Sequence, residues 1–437
     1  MRRRQAMLAA LAGAVMPGAG AAAEGLEAMA QALAARPFQP PPDDLPAAAR
    51  GWDYDQWRRH PFTGTPRRSG PFAVHPFPRG YLFPDAVALE LDGTPWQPGA
   101  EFQDAPPGLG FSGFRLVGEL NTPGRPDEVV SFLGASYFRA LGRGHAYGVS
   151  ARAVSLGLGG VEEFPAFRLF RLAGDGVGAL LDGPSLAGAF RITVAPGAET
   201  VLELHATLFP RHDLLALGVA PASSMFWFNT PHARDPRPAV HDSDTLAWED
   251  AAGERRARPL DNPAAPRITD IPLPSPRGFG LLQRRRGPAA FADPEARYGD
   301  RPSLWVEPLG DWGPGHLRLL ELPARDEYHD TIACAWQPAA PIPAGRPFRA
   351  AWRLRWADDA PARPGLARLA SARREALGTA LRFAGPALAA TRPEGHGILA
   401  FEASEAEARL LLAPGGQARL RRADGTAASE TAIGLPA

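Results

Sequence analysis

The sequence predicts an all-β protein, with a large antiparallel β-sandwich followed by a smaller sandwich module. Short segments with period-two alternation follow one another through residues 46–336, among them "FSGFRLVGEL", "GAFRITVAPG" and "TVLELHATLF", without helices between them. The 47 glycines and 48 prolines are spread along the chain, as many turns require. An apolar fraction of 45%, with 22 phenylalanines and 10 tryptophans, is sufficient for a core packed between sheets.

The first 23 residues are interpreted as a signal peptide. Arginines at positions 2–4 precede a short apolar stretch, and three alanines at positions 21–23 suit a cleavage site. An apolar stretch of this length is too short to span a bilayer. The arginine pair is also compatible with a twin-arginine export signal. The mature chain is therefore expected in a bacterial periplasm.

The remaining chain divides by composition into two domains. Residues 24–336 form the predicted larger β-sandwich, which begins with a short alanine-rich helix at residues 26–35. The proline-rich stretch "QPAAPIPAGRP", residues 337–347, is the predicted linker. Residues 348–437 have the size of a small immunoglobulin-like module, although residues 366–377 show helical spacing.

Composition excludes several classes of function. The 47 basic and 47 acidic residues balance, which argues against nucleic acid or an anionic membrane surface as partner. The chain contains no lysine, which excludes Schiff-base chemistry, a P-loop lysine and a serine–lysine nucleophile. The single cysteine, Cys334, excludes an internal disulfide and is interpreted as a buried small hydrophobe. No histidine spacing suits a metal, so the sequence predicts neither a metal nor another cofactor.

Two clusters of carboxylates directly precede apolar strands. In "ARDEYHDTIACAW", Glu327 and Asp330 stand before one strand; in "HDSDTLAW", Asp242 and Asp244 stand before another. Either cluster alone suits a solvated turn. Together they suit acetal cleavage, which needs one protonated carboxylic acid at the leaving oxygen and one carboxylate that attacks the sugar or activates water. Burial would raise the pKa of the acid, and polar surroundings would keep the other carboxyl ionised.

Aromatic side chains between the two clusters are candidate sugar contacts. Tyr298, Trp305 and Trp312 offer flat faces to pyranose rings, and nearby arginines can donate to hydroxyl groups. Such aromatics more commonly belong to a core. From its residues alone, the sequence thus predicts a secreted β-protein with a carbohydrate site.

Several segments resemble the periplasmic glucan biosynthesis protein G/D family (MdoG-like proteins), which is needed for osmoregulated periplasmic glucans. They are "DEVVSFLGASYFRALGRGHAYGVSARAV", "EEFPAFR", "RPAVHDSDTLAW", "RGFGLLQRRR", "ARYGDRPSLWVEPLGDWG" and "DEYHDTIACAW". The resemblance implies a galactose-mutarotase-like β-sandwich joined to an immunoglobulin-like carboxy-terminal domain, here shortened. It also implies an inverting endo-glucanase acting on linear β-1,2-glucan.

The same resemblance assigns roles to particular residues. It implies that Asp330 is the general acid, that Asp242 is the general base and that Glu327 supports the acid or contacts the substrate. It matches Tyr298, Arg301 and Trp305 to a loop that covers the sugar chain. Asp244 and Trp312 are the further candidate substrate contacts. Tyr328 and His329 replace small polar residues of the family beside the acid, and His329 could alter the pKa of that acid.

Two other functions remain open from the sequence. A non-catalytic glucan-binding or assembly protein, working with a membrane glucan synthase, would use the same aromatics and arginines. A transglycosylase would use the same acids, with a sugar in place of water. β-1,2-Glucan is the expected partner in each case. The sequence leaves open whether the chain is a monomer or a homodimer, and whether it acts as the G or the D type.

Overall fold

The predicted all-β class is confirmed in the computed structural model, which describes residue 20, residues 22–230 and residues 235–436. Strands account for 49% of the residues and helices for 6%. Most of the predicted signal peptide, residues 1–19 and 21, lies outside the described residues. The specific galactose-mutarotase-like and immunoglobulin-like types remain predictions.

The helical segments of the described chain are short, and none of them is long and apolar enough to cross a membrane. They are α1 (Leu26–Ala34), α2 (Tyr54–Trp57), α3 (Pro288–Phe291) and the 3-10 turns Ala47–Ala49 and Tyr298–Asp300. The predicted amino-terminal helix is thus present as α1. Its Leu26 and Ala30 are fully buried and pack in a cluster with Leu180 and Phe209, so α1 covers one face of a sheet.

The first strands of the described chain are β1 (Arg67–Ser69), β2 (Phe72–Pro78), β3 (Ala88–Leu91), β4 (Thr94–Pro95), β5 (Phe111–Thr122), β6 (Arg125–Leu133), β7 (Tyr137–Ala140), β8 (Ser150–Arg152), β9 (Val154–Leu156), β10 (Ala166–Ala173), β11 (Gly176–Asp182), β12 (Leu186–Ala195), β13 (Thr200–Pro210), β14 (Leu217–Ser224) and β15 (Phe226–Phe228). They continue as β16 (Val240–His241), β17 (Thr245–Glu249), β18 (Arg255–Pro259), β19 (Arg267–Pro272), β20 (Gly278–Leu282), β21 (Ser303–Pro308), β22 (Gly315–Glu321), β23 (Ile332–Pro338), β24 (Phe348–Ala357), β25 (Arg368–Glu375), β26 (Gly378–Ala384), β27 (Arg392–Ala403), β28 (Glu407–Arg421) and β29 (Thr431–Ile433).

These strands form two large sheets and one two-stranded sheet in the described part of the chain. The first large sheet has the order β1-β2-β5-β6-β7-β8-β14-β23-β22-β19, and β9 also pairs with β14. The second has the order β25-β26-β28-β29-β18-β17-β20-β21-β24-β13-β12-β11-β10-β3-β4, with β27 on β28. The small sheet pairs β15 with β16.

Alternating side chains build the main core between the two large sheets. Phe114, Phe132 and Phe138 of the first sheet pack against Phe170 and Trp356 of the second. Each of the five is at most 2% exposed. The opposite face of the first sheet is thereby free to carry polar side chains.

A second core lies beneath the carboxy-terminal strands. Its buried members include Leu369, Leu381, Phe383, Leu410 and Leu420 of β25, β26 and β28. Here the helical spacing of residues 366–377 proves misleading, because this segment contains the strand β25. The hairpin partner of β25 is β26, and pairing with it overrides the local helical pattern.

The position of β24 bears on the predicted division into domains. This strand opens the segment expected to form the separate module, yet it lies inside the second large sheet, between β13 and β21. Leu204 pairs with Trp352, and Val306 pairs with Leu354. We therefore propose a boundary near residue 358, with residues 337–347 connecting two strands of the large sandwich.

A buried ion pair ties the carboxy-terminal strands to the end of β20. Arg284 donates to both oxygens of Glu430 at 2.7 and 3.0 Å and to Asp359 at 3.1 Å. The side chains of Arg284 and Glu430 are only 1% and 4% exposed. Ionised groups at such positions are tolerated only when they are paired.

Arg284→Met should lower the free energy of unfolding by about 3–5 kcal/mol, because it leaves the buried carboxylate of Glu430 without its cation. Urea unfolding followed by tryptophan fluorescence measures this. Arg58→Met is the control, because Arg58 and its partner Asp55 are 63% and 74% exposed, and it should change stability by less than about 0.5 kcal/mol. Equal effects of the two substitutions would contradict the role given to the buried pair.

Candidate active site

The end of β14 brings the two acidic segments together. The backbone carbonyl of Met225 accepts a hydrogen bond from the amide of Asp242 at 2.8 Å, and that of Ser224 accepts one from Thr331 at 3.0 Å. The hydroxyl groups of Ser224 and Ser243 lie 2.7 Å apart. Ser224, the last residue of β14, and Met225, the residue after it, therefore hold both acidic segments by backbone contacts.

Asp242 is a buried carboxyl, 7% exposed, at the end of β16. Burial raises its pKa to about 6; the charge of Arg301 opposes this shift, and the charge of Asp330 adds to it. Arg301 donates a short hydrogen bond to Oδ1 of Asp242. A carboxyl with a pKa near neutrality can exchange a proton at physiological pH.

Asp330 lies in a different environment, on the exposed side of the same cluster. Ser223 donates to its Oδ2 at 2.9 Å, and the hydroxyl of Ser150 lies 2.9 Å from that of Ser223. Asp330 also lines a cavity of about 180 Å³ together with Arg152 and Phe164. The side chain is therefore held by one hydroxyl group and remains open to a ligand.

From the sequence, we expect the general acid to be buried and the other carboxyl to lie in polar surroundings. The burial of the two carboxyls in the structure is the reverse. The carboxyl with the raised pKa is Asp242, the expected base, whereas the expected acid Asp330 is exposed. A base with a pKa near 6 still accepts protons well at neutral pH. For Asp330, a bound ligand would have to supply the dry surroundings that favour a protonated carboxyl.

Three further predicted residues lie near this pair. The side chain of Glu327 is bound by both terminal nitrogens of Arg237, at 3.1 and 2.5 Å, so it supports the loop. The guanidinium of Arg301 lies 4.2 Å from the ring centre of Tyr298. Tyr298 is 2% exposed; burial raises its pKa, and the charges of Glu327 and Asp242 contribute to that shift.

The other three predicted contacts are placed elsewhere. Trp305 is 2% exposed in β21 with Arg255 over its ring, so it offers no face to a sugar. Asp244 is buried and accepts hydrogen bonds from the amide of Arg285 and the hydroxyl of Thr245. In this structure both side chains contact the protein itself, and their roles as substrate contacts stay predictions.

Trp312 is also separated from the acids. Its indole nitrogen donates to the carbonyl of Ala351 at 3.2 Å, and its ring packs against Trp336 and Trp352. It lines a cavity of about 870 Å³ that includes neither Asp242 nor Asp330. The residues next to Trp312 in the sequence do not indicate that its side chain lies away from Asp242 and Asp330.

The residues that replace the family's small polar side chains beside Asp330 point outward. Tyr328 is 81% exposed, and the side chain of His329 is 82% exposed. Nδ1 of His329 lies 3.5 Å from Asp326. Neither side chain makes a hydrogen bond to Asp330 among the described residues.

The buried His241 fixes the backbone beside Asp242. Burial lowers the pKa of its imidazole to about 4, so the ring is neutral at pH 7. The amide nitrogen of Gln283 donates to the carbonyls of His241 and Tyr298, so its oxygen must accept from Nδ1 of His241, 2.8 Å away. The ring also stacks on Phe226, and these contacts hold the peptide that carries Asp242.

A polar face of the first sheet extends from the acids, and the sequence prediction missed it. Tyr137 pairs with Arg152, and Ser150 pairs with Ser223, across β7, β8 and β14. Their side chains alternate with Phe138 and other core residues, so they face away from the core. The alternation of polar and apolar residues in "SYFRA" and "GVSAR" indicates that each strand has a polar face. It predicts a shared surface only when the two strands are known to be neighbours.

Cations and rings line this face. The guanidinium of Arg139 lies 3.7 Å from the ring centre of Tyr147, and its charge acts on Asp242. Arg152 lies between Tyr137 and Phe164, at 5.6 and 5.2 Å from their ring centres. Phe164 is 52% exposed. We refer to Tyr137, Arg139, Tyr147, Arg152 and Phe164 as the arginine–aromatic face.

In the described part of the chain, the histidine, cysteine and carboxylate side chains form no metal-binding cluster, and the thiol is buried. No group of three or more histidine, cysteine, aspartate or glutamate side chains there is placed to hold a metal ion. Cys334 is buried, and burial raises the pKa of its thiol to about 12, so it is not a nucleophile.

Comparison with known proteins identifies relatives over most of the chain. A family model described as periplasmic glucan biosynthesis protein, MdoG, matches residues 22–404. Glucans biosynthesis protein G of Shewanella baltica strain OS155 is 43% identical over 366 residues, which cover 77% of this chain and 68% of the relative. Glucans biosynthesis protein G of Shewanella sp. strain MR-7 is 42% identical over 360 residues, which cover 76% and 66%. The chain thus spans about two thirds of the length of these relatives.

Asp242→Asn should stabilise the fold at neutral pH. The folded state has a pKa of about 6 against an ordinary value of 3.8, so the native carboxyl destabilises the fold increasingly as pH rises from about 4 to above 6. The variant should therefore match the natural chain near pH 4 and exceed it by about 3 kcal/mol at pH 7. Denaturant unfolding at both pH values measures this, with exposed Asp326→Asn as control. A stability difference independent of pH would contradict the raised pKa.

Proposed function

The chain belongs to the MdoG family of periplasmic glucan biosynthesis proteins, and on this basis we propose that it is an exported endo-β-1,2-glucanase that inverts the anomeric centre. The observation that carries the proposal is the pairing of a buried carboxyl, Asp242, with an exposed carboxyl, Asp330, beside the arginine–aromatic face. Residues 1–23 would direct export and be removed.

Asp330 would act as the general acid. Ser223 donates to Oδ2, which leaves Oδ1 to carry a proton towards the glycosidic oxygen. A bound glucan chain would cover this exposed carboxyl and displace water, which favours the protonated form. Proton transfer to the leaving oxygen would then accompany cleavage of the bond to the anomeric carbon.

Asp242 would act as the general base. Arg301 binds Oδ1, so Oδ2 is the oxygen that would take the proton from water. Inversion requires the water to attack from the face opposite the leaving group, with the carboxyls more than about 6 Å apart. A relay through further water would permit a longer separation. The permanent charge of Arg301 keeps Asp242 oriented in both protonation states.

The arginine–aromatic face would bind the sugar chain. Its arginines are donors that suit hydroxyl groups, and the exposed ring of Phe164 suits the apolar face of a pyranose. A neutral glucan needs no excess charge on the protein, in keeping with the balance of 47 basic and 47 acidic residues.

Asp330→Asn and Asp242→Asn should each lower the rate of glucan cleavage by about 10²–10⁴-fold, the contribution typical of general acid–base catalysis. Linear β-1,2-glucan is incubated with the mature protein, and the products are separated by chromatography. Asp326→Asn is the matched control, since it removes an exposed acid of the same segment, and it should retain activity within about twofold.

The outcomes separate the rival functions. An intact polymer that nevertheless binds the protein would replace the proposal with glucan binding or assembly, together with a membrane synthase. Products longer than the substrate would identify a transglycosylase. Retention of configuration at the new reducing end, observed by NMR, would exclude inversion. Loss of the acidic limb of the pH profile in Asp330→Asn, rather than in Asp242→Asn, would exchange the two roles.

Phe164→Ala should weaken glucan binding by about tenfold, because a sugar would lose its stacking surface. Affinity electrophoresis of the Asp330→Asn background in gels containing glucan measures binding without cleavage. Leu215→Ala removes a side chain that is 78% exposed and outside the face, so it should leave migration unchanged. Equal migration of both variants would place the sugar chain elsewhere.

A further inference from the structure

A large cavity lies between the segment that follows β20 and the strands β25, β26 and β28. Its volume is about 760 Å³, and neither Asp242 nor Asp330 lines it. Among the described lining residues are six arginines and only two acids, Glu375 and Glu402. The arginines are Arg284, Arg285, Arg286, Arg373, Arg382 and Arg409.

Most of these arginines have carboxylate partners. Arg284 is neutralised by Glu430 and Asp359, as described above. Arg382 and Arg409 both pair with Glu407, at 3.0 and 2.8 Å, and Arg409 also pairs with Glu402 at 3.4 Å. Arg373 pairs with Glu375 on the same strand. The excess of positive charge must therefore come from the remaining two arginines.

Arg285 is the cation left without a carboxylate partner. Its guanidinium donates to the backbone and side-chain oxygens of Asn229, at 3.3 and 2.7 Å, and forms no ion pair with any described residue. Burial lowers the pKa of this guanidinium, although the charge of Asp244 partly opposes the shift. A partly buried, unbalanced cation at a cavity wall is stabilised by any anion that enters.

Arg286 adds an unsatisfied donor to the same wall. Its Nε is buried without a hydrogen-bond partner in the described structure. Its terminal nitrogens donate to the carbonyls of Arg301 and Asp358, and the nearest carboxylate oxygen, on Asp358, is 3.8 Å away. Burial also lowers the pKa of Arg286. Two neighbouring guanidinium groups thus lack full compensation at one wall.

We propose that this cavity binds a phosphate-type oxyanion, with Arg285 and Arg373 as its principal donors. Guanidinium groups present paired N–H donors whose planar geometry matches the oxygens of phosphate. Arg373 pairs only with Glu375, which is itself partly exposed, so it can turn to an entering anion. Leu381 and Phe401 also line the cavity and would contact the organic part of a phosphate ester.

The experiment is calorimetric titration of the mature protein with inorganic phosphate at pH 7. Arg373→Gln and Arg285→Gln should each weaken phosphate binding by about tenfold, the loss expected for one charge-assisted hydrogen bond. Arg374→Gln is the matched control, because Arg374 lies on the same strand, pairs with Asp261 and does not line the cavity. It should bind phosphate as the natural chain does.

Two results would overturn the proposal. One is the absence of binding heat at millimolar phosphate in the natural chain; the other is equal loss in Arg373→Gln and Arg374→Gln. Circular dichroism confirms that the variants are folded, and Arg373→Gln alone suffices if Arg285→Gln does not fold. Phosphate binding is measured without glucan, so its failure and a failure of the proposed hydrolysis are separate observations.

The source of the anion is distinguished by a second titration. Linear glucan with and without phosphate ester groups is compared in the Asp330→Asn background. A preference for the phosphorylated glucan that disappears in Arg373→Gln identifies a substituent carried by the sugar chain. Equal binding of the two glucans, with inorganic phosphate still bound at the cavity, identifies a free phosphate compound.

Discussion

Two backbone hydrogen bonds at the end of β14 are the contacts on which the candidate site depends. The backbone carbonyl of Met225 accepts a hydrogen bond from the amide of Asp242. The carbonyl of Ser224 accepts one from the amide of Thr331, the residue directly after Asp330. Because both bonds involve main-chain atoms, they depend on the fold rather than on particular side chains. The two carboxyls are thus held by one support while the rest of each loop can vary. The end of β14 also carries Ser223, whose hydroxyl donates a hydrogen bond to Asp330.

Arginine supplies every permanent positive charge in this architecture, and each use has a different physical basis. Arg284 compensates buried carboxylates, Arg301 orients a carboxyl with a raised pKa, and Arg139 lies against an aromatic ring. A guanidinium stays protonated in all these surroundings, whereas a buried ammonium would lose its proton readily. The pH response of the candidate site therefore rests on its carboxyls and not on its cations.

The sequence predicted the features that are encoded by neighbouring residues. It did not predict the features that depend on pairing between strands distant in the chain. Alternation identified the strands, and acids before apolar runs identified Asp242 and Asp330, since both signals lie within a few residues. The burial of Trp305 could not be predicted, because β21 is buried on both faces, which depends on neighbours far away in the chain. Ser223 and the arginine–aromatic face were missed for the same reason. Their side chains become a surface only when β7, β8 and β14 are placed side by side.

The insertion of β24 between β13 and β21 has a consequence for how the molecule reaches its native state. Both neighbours precede β24 in the chain, and β13 is separated from it by more than a hundred residues. Until β24 arrives, two strands of the largest sheet present open edges that can pair with other chains. Such non-local closure is slow, and the partly folded chain is prone to self-association. The strand order therefore leaves the edges of β13 and β21 open until β24 has paired with both of them.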